Sequence, residues 1–548
     1  MICSSDIPFF KQFFTRINYS VFLWADTPIF GLKMIAREPS YYIYFFLFLA
    51  FSFLFAFIGV KLYKKFLINK DDRRNVDASP DYILNLTTGI LALIIMFIGI
   101  RGRIEKKSPI KVGTAFFSNY SFPNQLGLNP VFTFIRSYLD AKNSKNAEIK
   151  LIDNAVAINN VKRFLNIKDS LASPLARQIK AQREKITPNI IVVIMESFSA
   201  EYMQRFGNQE KLTPVMDSLA AIAYSFDNIY TAGIHTYNGI YSTLFSFPTI
   251  FTKHPLNKAG IDQYTGLSGI LASQNYYSLF FIPHDEQFDN ISGFLKQNAF
   301  NEIISQKDYP ASKVLSTLGV PDNYMFDFSI NTLKNIKQPF LAVYMTASNH
   351  GPYIVPTDIA FKPKALDIKK QCLEYSDWAL GDFLHKAKTQ EWFENTIFLF
   401  VADHGAIIGD NPYPVSLSYH HTPFVIYSPL LKDAPKSFNC IGGQLDIFPT
   451  LMGLINIEYI NNTMGIDLLR EKRPYIYFCD DDKIGCLDHR YLYIYSKENL
   501  NYLYEYNKKD VNNYYNILTN KADSMKNYAF SMLQAAQFMI INKKTSFH

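Results

Sequence analysis

Two runs of strand-forming residues, each ending in groups able to bind a metal, constrain this chain more than any other feature. In NIIVVIMESFS (189–199), the apolar stretch Ile190 to Met195 delivers the carboxylate of Glu196. In TIFLFVADHG (396–405), a second stretch delivers Asp403 and His404. Open α/β sheets place their ligand sites at the carboxyl ends of parallel strands. Two such ends, with hydroxyl-rich segments between them, predict one metal site assembled from distant parts of the chain. A mixed carboxylate and imidazole set suits Zn²⁺ or Mn²⁺ better than Ca²⁺. Taken singly, each run reads equally well as a core strand ending in an acid that caps the next helix.

The rest of the alternation follows the same style. Apolar runs at 277–282, 339–346 and 423–428 read as further strands, and 213–223, 265–275, 289–299, 321–336 and 366–389 carry helical spacing. Strands alternating with helices predict an α/β fold, a mostly parallel sheet sandwiched by helices. From about residue 470, PYIYF, LYIYS and LYEYN alternate apolar and polar residues between tight turns, predicting a small C-terminal antiparallel sheet, and 522–542 is helical in period.

At 548 residues the chain is long enough for two or three units. Its mean hydropathy is −0.03, so most of it is not lipid-embedded. Two segments are exceptions: Tyr41 to Val60 and Ile83 to Ile100 carry no charge and match the thickness of a bilayer's hydrocarbon core. Between them, Lys61, Lys64, Lys65, Lys70, Arg73 and Arg74 mark a cytoplasmic loop, which places everything after Arg103 outside. Arg101, Arg103, Lys106, Lys107 and Lys111 argue the other way. Residues 1–40 lack the pattern of a secretory signal, and Phe9–Phe14 with Val21–Trp24 reads as a juxtamembrane amphipathic piece, with further membrane helices expected upstream of this frame. The net charge of +7 is spread thinly, without the dense basic tract that nucleic-acid binding needs. The expected organisation is therefore a juxtamembrane segment (1–40), two transmembrane helices with a basic loop (41–103), a helical linker (104–187), a catalytic domain (188–470) and an antiparallel subdomain with a helix (471–548).

The five cysteines, Cys3, Cys372, Cys440, Cys479 and Cys486, include no CxxC pair, which excludes a zinc ribbon on spacing. Cys479 and Cys486 flank CDDDKIGC and read as either a local disulfide or two free thiols.

Between the two metal-ligand strands lies AGIHTYNGIYSTLFSFP (232–248). A hydroxyl in a Gly-flanked loop just before a helix sits where the dipole and free backbone N–H groups favour an anion. Contact with a metal would make it a nucleophile. Thr236 fits best, with Thr231, Ser242 and Thr243 as competitors, and a plain capped helix start as the alternative.

The order of motifs, NIIVVIMES, GIHTYNG, SNHGPY (348–353), VADHG (401–405) and GGQLDIFPTLMGL (442–454), resembles the alkaline phosphatase/sulfatase superfamily. Within it, RGR after the second membrane segment, FIPHDEQFDN and YHHTPFVIYSP are similar to the lipoteichoic acid synthase group of membrane phosphoglycerol transferases, in its Gram-negative, Bacteroidetes-like form. The resemblance spans about residues 100–505 and implies a sulfatase-like fold. It implies that Glu196, Thr236, Asp403 and His404 hold one divalent ion, Mn²⁺ foremost with Zn²⁺ or Mg²⁺ as alternatives. Thr236 becomes the nucleophile, His350 contacts the phosphate and assists the leaving group, and His284 and Asp285 line the head-group pocket. His420 and His421 become further phosphate or metal contacts, with His421 assigned to substrate, or equally are structural histidines in a loop. The implied partners are a bilayer, a phospholipid donor (phosphatidylglycerol foremost) and a glycan or lipid acceptor. The implied location is the bacterial inner membrane, multi-pass, with the catalytic domain on the periplasmic side. The chain departs from the group where FDNISGF (288–294) stands in place of a Trp and an Arg.

A sulfatase proper needs a Cys or Ser in a C/S-x-P-x-R context, and no Cys here has one. Phosphoethanolamine transfer and simple phosphodiester hydrolysis remain as enzymatic alternatives. A binding or sensor protein that kept the fold is the non-enzymatic one.

Overall fold

Strand-forming residues 190–195 lie near the middle of an eight-stranded sheet. A computed structural model of the chain describes residues 2–13, 16–18, 21, 42–65, 82–103, 110–117, 121–142, 148–168, 171–257, 261–496 and 499–547. They divide into a unit within residues 1–144 and a larger one within 145–257 and 261–548.

In the larger unit, β1 (Arg177–Ile179) pairs antiparallel with β10 (Tyr459–Asn461) as a short ribbon. The strands between them in sequence form the main sheet: β2 (Asn189–Met195), β3 (Tyr224–Tyr230), β4 (Tyr277–Phe281), β5 (Glu302–Ile304), β6 (Phe340–Met345), β7 (Thr396–Ala402), β8 (His421–Tyr427) and β9 (Lys436–Gly443). Their spatial order is β5-β4-β6-β2-β7-β8-β3-β9. β8 alone runs against the others, antiparallel to both β7 and β3. The sheet is thus mostly parallel, as the alternation predicts. The strand at 423–428 is the exception, because the turn from β7 through Leu417–His420 returns the chain directly beside it.

Both faces of the sheet are buried, and side chains alternate between two cores. Ile190, Val192 and Ile194 of β2 enter one core with Ile397, Leu399 and Val401 of β7. Ile191, Val193 and Met195 enter the other with Phe398, Phe400 and Ala402. The first core takes the helices Thr236–Phe245, Ile447–Ile455 and Thr519–Ile541; the second takes Pro214–Ile222, Asp322–Leu333 and Ile368–Ala387. This double burial explains why β2 and β7 read as unbroken apolar runs rather than as alternating ones. β3 (YSFDNIY) and β9 (KSFNCIGG) lie toward one edge and carry polar residues, so their sequences do not announce strands.

The small antiparallel sheet is β11 (Ile476–Cys479), β12 (Lys483–Leu487), β13 (Leu492–Ser496) and β14 (Asn501–Tyr504). Residues 483–487, between the runs PYIYF and LYIYS, form its second strand. Cys479 faces Ile484 and Cys486 faces Tyr477, so the two cysteines are out of register with one another and stay free, as do the other three. Residues 148–168 and 171–187, read as part of a linker, pack into this unit. Helix Asn154–Phe164 places Ala157 and Val161 in the first core, where Asn160 Nδ2 donates to Ser531 Oγ of the C-terminal helix (3.0 Å).

In the smaller unit, helices Tyr42–Tyr63 and Tyr82–Arg101 have mean hydropathies of 2.5 and 2.4 over their most apolar windows, none of which is buried in protein. A helix apolar all round and open all round belongs in lipid, and each is about 30 Å long, the thickness of a bilayer core. Thr87 and Thr88 turn their hydroxyls back to the carbonyls of Ile83 and Leu84, so neither leaves a polar group unsatisfied in an apolar surround. Both helices are long and apolar enough to anchor the chain in a membrane. The loop cations Lys70, Arg73 and Arg74, Lys106 and Lys107 of the basic cluster, and Val21–Trp24 beyond Val21, lie outside the described residues.

Candidate metal site

At the carboxyl end of β2 the chain turns sharply. Ser197 adopts a φ of 52°, in the left-handed region, at a cost of order 1 kcal/mol. That turn lets the Ser197 N–H donate to Asp403 Oδ1 (2.8 Å) and its hydroxyl to Glu196 Oε1 (2.6 Å). Because β2 and β7 are neighbours in register, Met195 opposite Ala402, the residues that follow them meet. Glu196, Asp403 and His404 each offer a ligand atom, and these atoms lie within 4.8 Å of one another. His404 Nε2 is 3.5 Å from Asp403 Oδ2 and 4.0 Å from Glu196 Oε1. The Nδ1 of His404 is 2.9 Å from the Gly405 carbonyl, so the hydrogen-bond network assigns the proton to Nδ1 and leaves Nε2 as the donor atom.

The third element is the helix Thr236–Phe245. Its first residue, Thr236, donates its hydroxyl toward Glu196 Oε2 at 3.5 Å. The helix can come this close only because position 239 is glycine: a Cβ there would lie 2.5 Å from Asp403 Cα. Its N-terminus therefore points at the two carboxylates, which puts Thr236 Oγ1 beside the ligand group.

Residues that sequence reasoning did not single out hold these parts in place. Gln444, fully buried, accepts from the Ala232 N–H (2.8 Å) and donates to the carbonyls of Ala402 (2.8 Å) and Asp403 (2.7 Å), stapling the loop before Thr236 to the end of β7. Its motif is anchored by Asp446, which accepts from Arg473 Nε (2.8 Å), Gly443 N (3.0 Å) and Ile466 N (2.9 Å). On the other side, Asn349 donates to the carbonyls of Glu196 (3.2 Å) and Ser197 (3.3 Å). Asp322 accepts from the N–H groups of Ala347 (3.0 Å) and Ser348 (3.2 Å) just before it. A buried glutamine beside two glycines was the available signal for Gln444; Asp322 and Arg473 carry none in the local sequence.

Electrostatically the cluster is short of positive charge. Among the described residues no lysine or arginine pairs with Glu196 or Asp403, although both are buried. Burial, and then the Asp403 carboxylate, hold the Glu196 carboxyl well above the usual range. Tyr419, stacked on the His404 ring at 5.1 Å, has its hydroxyl pushed up to about 12 by burial and by the same two carboxylates. Asp403 Oδ2 is buried without a hydrogen-bond partner. An unsatisfied buried carboxylate oxygen beside a second carboxylate is costly unless a cation joins it. Two carboxylates, one imidazole nitrogen and a hydroxyl fit a divalent ion of the borderline class.

The remaining expected site residues are placed as follows. His350 is exposed, one residue from Asn349, with Nδ1 2.7 Å from the Gly351 carbonyl. His284 is buried, edge-on to Phe288, and Asp285 caps a tight turn by accepting from Gln287 N (3.0 Å). His421 is engaged elsewhere: its Nε2 donates to the Asp227 carbonyl (2.8 Å), its ring stacks on Tyr230, and burial lowers its pKa. His420 is fully buried and pairs with Asp480 (2.8 Å). Of the competitors to Thr236, Thr231 is tied to Gly233 O, Ser242 to Phe247 O, and all three are buried away from the surface.

Residues 188–457 match the sulfatase family. Among curated proteins, a lipoteichoic acid synthase-like protein of Bacillus subtilis (YvgJ) is 26% identical over 317 residues, 52% of this chain and 50% of that protein. The lipoteichoic acid synthase of Staphylococcus saprophyticus is 25% identical over 362 residues, 61% and 54%. The chain thus spans about half the length of the curated relatives it matches. Among solved structures, an alkaline phosphatase superfamily protein from Vibrio parahaemolyticus superposes with a TM-score of 0.64 at 23% identity, covering 72% of this chain and 98% of that one. The lipoteichoic acid synthase LtaP of Listeria monocytogenes superposes at 0.55 and 17%, covering 70% and 98%. These likenesses establish the alkaline phosphatase-like fold.

Proposed function

We propose that this chain, whose residues 188–457 are a sulfatase-family domain with lipoteichoic acid synthases among its relatives, is a membrane-anchored phosphotransferase. It moves a phosphoglycerol-type head group from a phospholipid to an extracytoplasmic acceptor, glycan or lipid, through a phospho-threonine. The observation that carries this reading is the convergence of Thr236 Oγ1, at a helix N-terminus, on the Glu196, Asp403 and His404 group.

Glu196, Thr236, Asp403 and His404 would hold the ion, Mn²⁺ foremost. Bound there, a divalent ion supplies charge stabilisation for the phosphoryl oxygens and acidifies a hydroxyl. The Thr236 hydroxyl yields its proton toward the Glu196 oxygen it faces as its Oγ1 bonds to phosphorus. The bond from phosphorus to the diacylglycerol oxygen breaks, and His350 Nε2 gives that oxygen its proton. In the second half, His350 Nε2, now without that proton, takes the acceptor hydroxyl's proton as the acceptor oxygen bonds to phosphorus, and Thr236 leaves with the proton held by Glu196. His284 and Asp285 line the head-group side, and His421 supports the sheet beneath. Residues 41–103 tether the chain with more than one membrane crossing, 104–147 link, 188–470, with 148–168 and 171–187 packed against them, catalyse on the periplasmic side of a bacterial inner membrane, and 471–548 close the domain.

Phosphoethanolamine transfer is a second reading favoured by one observation. In FDNISGF, the segment that departs from the lipoteichoic acid group, the carboxylate of Asp289, a group suited to an ammonium head group, lies 3.4 Å from His254, which stacks at 3.7 Å on Tyr237, the neighbour of Thr236. Intact mass of the full chain in detergent, with Mn²⁺ and either phosphatidylglycerol or phosphatidylethanolamine, decides between them. A gain of one glycerol-phosphate that disappears in Thr236→Ala supports the first, and a gain of phosphoethanolamine supports the second. No adduct, with head group released into solution and release surviving in Thr236→Ala, overturns both.

A further inference from the structure

The turn between β11 and β12 holds the loop that leads into Thr236 at three successive points. The Cys479 N–H donates to the Ala232 carbonyl (2.9 Å). His420 Nε2 lies 2.8 Å from Asp480 Oδ1, and the His420 carbonyl accepts the Thr231 N–H (2.7 Å). His235, the residue immediately before Thr236, places its Nε2 2.9 Å from Asp481 Oδ1. We propose that Asp481 is a positioning residue for the nucleophile: through the His235 ring it holds the first turn of the Thr236 helix where the Thr236 hydroxyl faces Glu196. This assignment rests on the reading of Thr236 as the nucleophile of head-group transfer, and holds for either head group.

Burial already fixes the earlier part of this loop. Thr231, Ala232 and Gly233 are buried, and Gln444 holds the Ala232 N–H from another side (2.8 Å). Ile234, His235 and Thr236 are only half-buried, and full burial resumes at Tyr237. The nucleophile thus stands in the least enclosed part of its loop, where packing by itself fixes little. His235 is the N-cap residue of the helix, and its carbonyl accepts the N–H groups of Asn238 (2.8 Å) and Gly239 (3.2 Å), so its backbone sets the helix start. Its ring is held from two directions. One face stacks on Tyr237 at 5.2 Å and 11°, and Tyr237 stacks in turn on His254 at 3.7 Å. The Nε2 edge meets Asp481; a carboxylate oxygen accepts, so the hydrogen-bond network assigns the proton to Nε2. Stacking alone lets the ring slide in its own plane, and the carboxylate stops that slide.

Magnitudes separate this role from a plain structural one. The side chains of His235 and Asp481 are 41% and 48% exposed, and a pair so open to water adds little to stability. A nucleophile displaced by about 1 Å can lose about a hundredfold in rate. Loss of Asp481 should therefore be felt in turnover and scarcely in folding.

Full-length chain in detergent with Mn²⁺ is given phosphatidylglycerol and, in parallel, phosphatidylethanolamine, and kcat and KM are measured for the lipid it turns over. Asp481→Ala should lower kcat by about ten- to a hundredfold, with KM within about twofold and the melting temperature unchanged. Asp481→Asn, whose Oδ1 still accepts from His235, should keep kcat within about threefold of the unaltered chain. Asp481→Ala combined with His235→Ala should cost no more than the worse of the two alone, since both remove one contact. A kcat within about twofold of the unaltered value in Asp481→Ala, a loss expressed in KM, a lowered melting temperature, or a loss that Asp481→Asn does not restore overturns the positioning role while leaving head-group transfer standing. No transfer from either lipid by the unaltered chain overturns the head-group reading, and the role of Asp481 with it.

Discussion

Two buried acids in the same domain meet opposite fates. Asp446, fully buried, is clasped by the Arg473 guanidinium, itself 2% exposed, and by two backbone N–H groups. Asp403, equally buried, faces a second carboxylate at Glu196 and leaves Oδ2 without a hydrogen-bond partner. The first acid completes its charge balance inside the chain and serves as an anchor for the Gln444 motif. No lysine or arginine among the described residues pairs with the second, which stands at the carboxyl end of β7 with Glu196 and the Thr236 hydroxyl beside it. Burial alone therefore does not tell structure from function; what separates the two is whether the protein supplies the counter-charge itself.

The comparison can be broken in several ways, the largest effect first. Thr236→Ala should lower head-group transfer by at least about a thousandfold while leaving Mn²⁺ binding largely in place, because three ligand residues remain; turnover assays with isothermal titration check both. Arg473→Met should cost about 3–5 kcal/mol of stability, since it strands Asp446 as an uncompensated buried charge, and melts in detergent measure it. Mn²⁺ at a hundredfold excess over its Kd should add about 3 kcal/mol to the unaltered chain and none to Asp403→Asn. A full response in that variant would move the ion elsewhere.

The smallest effect concerns a third buried acid. Asp377 accepts from the N–H groups of Val215 (2.8 Å) and Met216 (2.9 Å), and burial pushes its carboxyl up to about 7. The folded chain holds this proton more tightly than the unfolded chain does. Its contribution to stability is therefore complete below the ordinary carboxylate range and is lost as pH rises through about 7. Between pH 5 and 8 the loss should be about 2 kcal/mol larger in the unaltered chain than in Asp377→Asn, as paired denaturant titrations would show. Equal slopes would remove Asp377 from the list of uncompensated acids.

How far the sequence reached can be judged from the same residues. β2 and β7 were legible because double burial leaves no room for polar residues, so the apolar run itself marks the strand and its end marks the ligand. The two membrane-length helices were legible for the opposite reason: their side chains are not buried in protein, and long uncharged, mostly apolar runs mark them. The helix start at Thr236 was legible from its glycine-flanked sequence; the structure sets that hydroxyl beside Glu196 and ties Thr231 and Ser242 to backbone carbonyls.

What only the tertiary structure decided is the set of partners that are remote in sequence. That Glu196 meets Asp403 and His404 follows from β2 lying beside β7, a pairing across 200 residues that no local pattern encodes. The reversal of β8, the edge strands β3 and β9, the staple by Gln444 and the Arg473 clasp on Asp446 belong to the same class. Local propensity and periodicity act over one turn or one strand, whereas a buried charge is balanced by whatever the fold brings within a few ångströms. The chain's own residues thus mark where carboxylates and hydroxyls will stand. Only their assembly shows which acid is paired inside the chain and which one stands in a group able to hold an ion.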